Sequence, residues 1–143
     1  MSTTIYIKID KVDGTVSEPN HLKWIKATGF HWTSSCPQRK ESDATKNSNG
    51  IIFTKEMDES SPFLLKKSSR GDTSEKIKID FCRLNGDSMY TFAQAEIKDY
   101  KFSHASLDIV PEFGSALETY GITFDVVEWK YFTGNKKLPR NQK

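Results

Sequence analysis

The sequence predicts a mainly β protein: an antiparallel β-barrel or sandwich with one short α-helix over Pro62–Arg70. Three observations predict it. Apolar residues alternate with polar ones through most of the chain, the period of half-buried strands. Asn85-Gly86 separates two alternating runs, a strong hairpin signal because both residues tolerate the positive φ of a tight turn. Only one stretch carries the start and stop signals of a helix, and no internal repeat is present.

The elements follow in order. Ile5, Ile7 and Ile9 alternate with Tyr6, Lys8 and Asp10 as a first strand, which Asp13-Gly14 ends as a turn. Leu22–Trp32 is a second extended stretch, rich in aromatics, and Gly29 marks a bulge or bend within it. Thr33–Gly50 has only Cys36 and Ala44 as apolar residues and reads as a long polar loop, of the kind that is either disordered or functional. Ile51–Lys55 is a strand. Ser61 is a good N-cap, Pro62 suits the first helical turn, and Asp58 and Glu59 lie near the positive end of the helix dipole. Lys66, Lys67 and Arg70 lie near its negative end and Gly71 can close it, with Phe63 and Leu64 packing on a sheet.

Lys76–Leu84 and Tyr90–Ile97 form the hairpin around Asn85-Gly86, with more strand over Tyr100–His104. Pro111–Gly121 reads as loop, because Gly114 weakens a helical alternative. Ile122, Phe124 and Val126 alternate, and Val127, Trp129 and Tyr131 alternate in the opposite phase. That shift implies a bulge at Val126-Val127, or a strand whose second half buries its other face. The total is about seven to nine strands.

Composition bounds the function. The 143 residues suit a single domain, 1–143, that buries about 68–70% of its unfolded surface. With 36% hydrophobic and 28% charged residues the balance is globular, not disordered. The net charge of +2 makes no electrostatic case for nucleic acid. The positive excess is in residues 134–143, a basic flexible tail with Lys136, Lys137, Arg140 and Lys143 and no acid. The longest apolar runs, such as Ile51-Ile52-Phe53, fall far short of the roughly 20 residues that cross a bilayer, so no membrane insertion is expected. The first residues lack the apolar core of a secretory signal, so synthesis in a cytosol is expected, with any export by another route.

Chemistry is sparse. Cys36 and Cys82 cannot make a disulfide framework; Cys82 lies in a strand pattern as a buried small hydrophobe and Cys36 in a polar loop as a free thiol. A regulatory bond between the two is the alternative, visible on a non-reducing gel. The histidines are His21, His31 and His104. His21, His31 and Cys36 lack the tight paired spacing of metal sites, so no metal or other cofactor is expected. A Cys36 nucleophile paired with His21 or His104 would need a fixed cysteine, which its loop does not supply. No G-x-S-x-G, P-loop or G-x-G-x-x-G is present, so no enzyme is expected. Arg70-Gly71-Asp72 is explained by a helix stop. A small β-barrel binding module, stacking bases on exposed aromatics, is the alternative from another class, but the strands carry mixed charge rather than a basic stripe.

The block Phe53-Thr54-Lys55-Glu56-Met57-Asp58-Glu59-Ser60-Ser61-Pro62-Phe63-Leu64 resembles the F-T-K-x-x-D-x-S-S/T-P-x-L signature of the Hcp family, the hemolysin-coregulated tube proteins of bacterial type VI secretion. Its structural residues are Phe53, Thr54, Lys55, Asp58, Ser60, Ser61, Pro62 and Leu64. Flanking pieces agree in order: Ile7-Lys8-Ile9 is similar to the family's opening strand, His21, Ile25 and Phe30-His31-Trp32 to its H…I-D-V…W-S-W run, and Ile122-Thr123-Phe124 with Trp129 and Tyr131 to its closing strand. The similarity covers about residues 4–132. Two departures stand out. The loop after the aromatic run is polar and charged where family members carry glycines, and Phe30 and His31 replace a Trp and a small residue.

The resemblance implies a non-enzymatic structural protein whose homohexameric rings stack into a hollow tube. Such a tube is fired by a contractile sheath, carries a spike at its tip and can hold effector proteins in its lumen. It is made in the bacterial cytoplasm and secreted without a cleaved signal. A tail-tube protein of a phage-like contractile injection system is the alternative with the same fold. If Phe30 and Trp32 face the core, His31 faces the lumen or a neighbouring subunit and is the candidate cargo contact. The 33–50 loop is long enough to reach an adjacent ring or subunit.

Overall fold

A computed structural model describes residues 3–35, 48–70 and 76–132. Its strands are β1 (Thr3–Ile9), β2 (Ile25–Ala27), β3 (Gly29–Ser35), β4 (Ser48–Glu56), β5 (Ile77–Asn85), β6 (Ser88–Val110) and β7 (Ser115–Tyr131), with one α-helix, α1 (Ser61–Arg70). The strands make one antiparallel sheet in the order β2-β1-β5-β6-β7-β4-β3. Both ends of that order belong to one stretch of chain. β2 pairs with β1, and one residue later β3 pairs with β4. At the join, Thr28 N–H donates to Thr54 O at 2.7 Å and a Cβ on Gly29 would meet Thr54 Oγ1 at 2.7 Å. Gly29 is thus the bend foreseen between two strand pieces, and the sheet rolls into the predicted barrel.

Alternation builds the core. Ile7 and Ile9 on β1, Ile77 and Ile79 on β5, Ile51 and Phe53 on β4, and Ile122 and Phe124 on β7 all point inward. Leu64 of α1 is fully buried and joins this core, but Phe63 is exposed, because one step along a helix turns a side chain about 100° away from the apolar face.

Several local expectations need correction. The first turn comes before Gly14: Val12 N–H bonds Ile9 O and Lys11 takes the left-handed conformation, φ 69°. Gly14 is instead a close approach, since a Cβ there would lie 2.3 Å from Trp24 O. The 33–50 loop is shorter than read: β3 and β4 pair out to Ser35 and Ser48, so Thr33–Ser35 and Ser48–Gly50 are strand despite their polarity. In the β5–β6 hairpin Asn85 pairs with Ser88, leaving Gly86 and Asp87 as the central pair. Positive φ falls on Gly86 alone, the glycine-first chemistry of a type II′ turn. β6 is one long strand, not two. Pro111–Gly121 is not loop: a 3₁₀ turn at Pro111–Phe113 closes on Gly114 at φ 67°, and β7 begins at Ser115.

The phase shift on β7 is real, but no register slip occurs at Val126-Val127. Burial changes face instead, and β6 does the same opposite. Ile97 and Tyr100 are both inward although three residues apart, with Asp99 between them at φ 55°. Each of the paired strands therefore presents one face to the core in its first half and the other in its second. Cys36, Gly71, the rest of the 33–50 loop and the 134–143 tail lie outside the described residues.

Candidate functional site

The signature block folds into a buried charged strap. Phe53 and Lys55 share the inward face of β4, and Thr54 points outward to bond Thr28 Oγ1 at 2.9 Å. Lys55 faces Glu118 across the ladder to β7. Both side chains are buried, and Lys55 Nζ lies 3.4 Å from Glu118 Oε1, 3.0 Å from Asp58 Oδ1, 2.7 Å from Glu56 O and 3.4 Å from Ser61 Oγ. One ammonium thus joins two strands, the β4–α1 connection and the helix start.

Asp58 organises the connection. Its Oδ1 accepts from Ser60 N–H at 2.8 Å and from the Ser60 hydroxyl at 2.6 Å. Burial alone would raise the Asp58 carboxyl; the Ser60 and Lys55 bonds outweigh it and hold it below the usual carboxylate range. The first helical bond runs from Leu64 N–H to Ser60 O, so Ser60 occupies the cap position and Ser61 is the first helical residue. The Ser61 hydroxyl looks backward and accepts Asp58 N–H at 2.9 Å. Pro62 then falls in the first turn, where its missing N–H costs nothing.

Lys55, Asp58, Ser60 and Ser61 therefore meet, with Phe53 and Leu64 in the adjoining core. Sequence reasoning missed Glu118 and Tyr120, whose hydroxyl donates to Glu118 Oε1 at 2.7 Å. Burial, then Glu118, pushes the Tyr120 phenol above its ordinary value. The arrangement ties β4, α1 and β7 together through one buried ammonium.

The aromatic run of β3 splits by alternation. Phe30 packs edge-on to Phe81 at 5.4 Å, and Trp32 lies against Phe124 at 5.1 Å and Trp129 at 4.7 Å. His31 is exposed on the opposite face, beside exposed Ile52. It meets neither His21 nor His104, which is exposed on β6, while both ring nitrogens of His21 face carboxylates.

Two surfaces stay uncovered. The turn end of the β6–β7 hairpin forms a short apolar arm: Ile109, Val110 and Leu117 are exposed and Phe113 is 81% exposed, while β4 lies beside β7 as far as Leu117. Among the described residues, β6 beyond Ile97 has no strand on the β5 side, and β7 beyond Phe124 has none on the β4 side. The second edge carries half-exposed Trp129 and Tyr131.

A family model described as "Type VI secretion system effector, Hcp" matches residues 6–131, nearly the whole barrel. The chain belongs to the Hcp family. Solved structures agree. A type six secretion system protein superposes with a TM-score of 0.78 at 25% identity, over 91% of this chain and 84% of that one. Hcp1 from Salmonella typhimurium gives 0.78 at 21% identity, over 92% and 87%. The secreted protein Hcp3 from Pseudomonas aeruginosa gives 0.68 at 17%, over 94% and 95%. No curated protein sequence matches. Membership confirms the expected Hcp-like fold and places this Hcp chain in type VI secretion, in a family of secreted tube and effector proteins.

Proposed function

We propose that the chain is a non-enzymatic, single-domain tube subunit. It forms homohexameric rings that stack into a hollow tube, driven by a contractile sheath behind a spike protein, with effector proteins held in the lumen. The subunit starts in the bacterial cytoplasm and leaves through the type VI machinery without a cleaved signal. The family match over residues 6–131 carries this reading. The uncovered surfaces support it: unpaired strand edges and an apolar arm are liabilities on a monomer, and a head-to-tail interface that closes into a ring hides them.

Light scattering of the purified 16.3 kDa chain, followed by negative-stain imaging of the same peak, tests it. A hexamer with a central hole is the expected result. A monomer that persists at high concentration overturns it.

Within this reading His31 is a lumen contact for cargo, because its side chain leaves the core face that Phe30 and Trp32 occupy. His31→Trp should reduce the effector that co-purifies with rings by about tenfold, the worth of one contact near 1.4 kcal/mol, while rings still form. Unchanged cargo in intact rings removes His31 from the lumen.

A further inference from the structure

Among the described residues, one other charged cluster outside the signature block is buried. His21, 3% exposed, ends the 3₁₀ turn Pro19–His21 on the segment that joins β1 to β2. Its Nδ1 lies 2.5 Å from Glu18 Oε1 and its Nε2 2.7 Å from Asp80 Oδ2 of β5. Tyr6 of β1 stacks on the ring at 4.3 Å with an interplanar angle of 19°, and Trp24 meets it edge-on at 4.7 Å. Cys82 Sγ of β5 is 4.0 Å from Nε2. Behind these, Gln94 of β6 donates to Asp80 Oδ1 at 2.9 Å, and Thr91 Oγ1 lies 3.4 Å from the Cys82 thiol.

Hydrogen-bond counting fixes the state of the ring. An ionised carboxylate only accepts, and a neutral imidazole has one N–H. Serving Glu18 and Asp80 together needs a proton on both nitrogens. A proton shared among these groups resides on the imidazole, whose ordinary pKa is about two units above a carboxylate's. Asp80 accepts donors on both oxygens, as an ionised carboxylate does.

We propose that His21 is an imidazolium strut, protonated throughout the neutral range, that straps the segment 14–24 over the outer face of β1 and β5, and that alkali releases the strap. The segment has backbone bonds of its own, Gly14 N–H to Lys23 O at 2.8 Å and Lys23 N–H to Val16 O at 2.8 Å. Among the described side chains, His21 is what ties it to Asp80 on the sheet. The facing groups are two acids, the Tyr6 phenol and the Cys82 thiol, and among the described residues no cation opposes the imidazolium. Burial, the largest single influence, favours neutral His21; the bonds to Asp80, Cys82 and Glu18 outweigh it and raise the pKa to about 10. A raised pKa stabilises the folded chain fully below the unfolded value of about 6.5 and loses that contribution as pH climbs through about 10. The strap is therefore closed at neutral pH and in mild acid. Its opening uncovers Cys82, which is fully buried when it is closed.

Long-range ¹H–¹⁵N spectra of the histidine rings test the charge, with the His21 signal assigned by its loss in His21→Gln. Two protonated nitrogens at pH 7.5 and a midpoint above pH 8.5 are expected. One protonated nitrogen at pH 7.5, or a midpoint at or below pH 8.5, overturns the proposal. In a Cys36→Ser background, the remaining thiol should react with a disulfide reagent about tenfold faster at pH 7.5 when His21→Gln is added. An equal rate in a folded variant overturns the strap. If the variant fails to fold, the titration of the unsubstituted chain decides alone.

Discussion

Lys55→Met should cost the barrel about 3–5 kcal/mol of unfolding free energy, the largest single-residue loss outside the apolar core. The substitution keeps the volume of the stem but leaves Glu118 fully buried with Tyr120 as its remaining donor, and takes a cation from Asp58. A buried carboxylate without its counter-charge is what makes breaking such a pair costly. Urea denaturation of the two proteins reads the difference directly. The double variant Lys55→Met/Glu118→Leu should recover most of the loss, because removing both charges removes the desolvation cost together with the attraction. A single-variant loss below about 1 kcal/mol would mean that the cluster is solvated and that the signature block does not tie β4 to β7. The acid limb has its own sign. Asp58 is held below its ordinary range, so its contribution is present above an unfolded value near 3.9 and disappears as pH falls through the depressed folded one.

The second large effect concerns assembly. Ile109→Lys combined with Phe113→Ser should convert rings to monomers while the barrel keeps its melting temperature. Both residues are more than half exposed, so the fold loses little; changes at such positions usually stay within about 0.5 kcal/mol. A buried apolar anchor at an interface is worth about 2 kcal/mol or more, and a ring repeats the loss at each subunit contact. Light scattering distinguishes the outcomes. Rings that survive the double substitution would show that the arm lies outside the subunit contact, and would move attention to the β7 edge with Trp129 and Tyr131.

Much of this fold was legible because sequence and burial share a period. β4 alternates cleanly, β1 and β5 turn their isoleucines inward even though Tyr6, Asp80 and Cys82 are also buried on the outer face, and the start of α1 is marked by Ser60, Ser61 and Pro62 within one residue of where the helix begins. The failures have specific causes. At the start of β7 the alternation is inverted: Leu117 points out and Glu118 points in, the reverse of a half-buried strand, so no apolar period announces it. β6 is interrupted by Asp99 in a left-handed conformation and by a register shift between Phe102 and His104, so its one long strand reads as two. The polar ends of β3 and β4 carry no apolar signal at all and hold their places by pairing with each other. Of the candidate site, Lys55, Asp58 and the serines were visible as a motif. Glu118 was not, since it lies 63 residues beyond Lys55 and meets it only through the strand order. The His21–Asp80 pair, 59 residues apart, was hidden for the same reason.

The way the barrel closes has a kinetic side. β5, β6 and β7 follow one another through short connections, so this meander needs little loop-closure entropy to form. β1 must instead find β5 across about half of the chain, with Ile5 opposite Phe81, and the stretch from Ile25 to Ser35 has a complete set of partners only once β1 and β4 are both docked. Long-range pairing of this kind slows folding to the millisecond-to-second range, with local hairpins forming ahead of it. The kinked stretch around Thr28 is then the last piece to zip and the first to come undone, and subunits caught before it closes would offer each other the raw margins of β1 and β4.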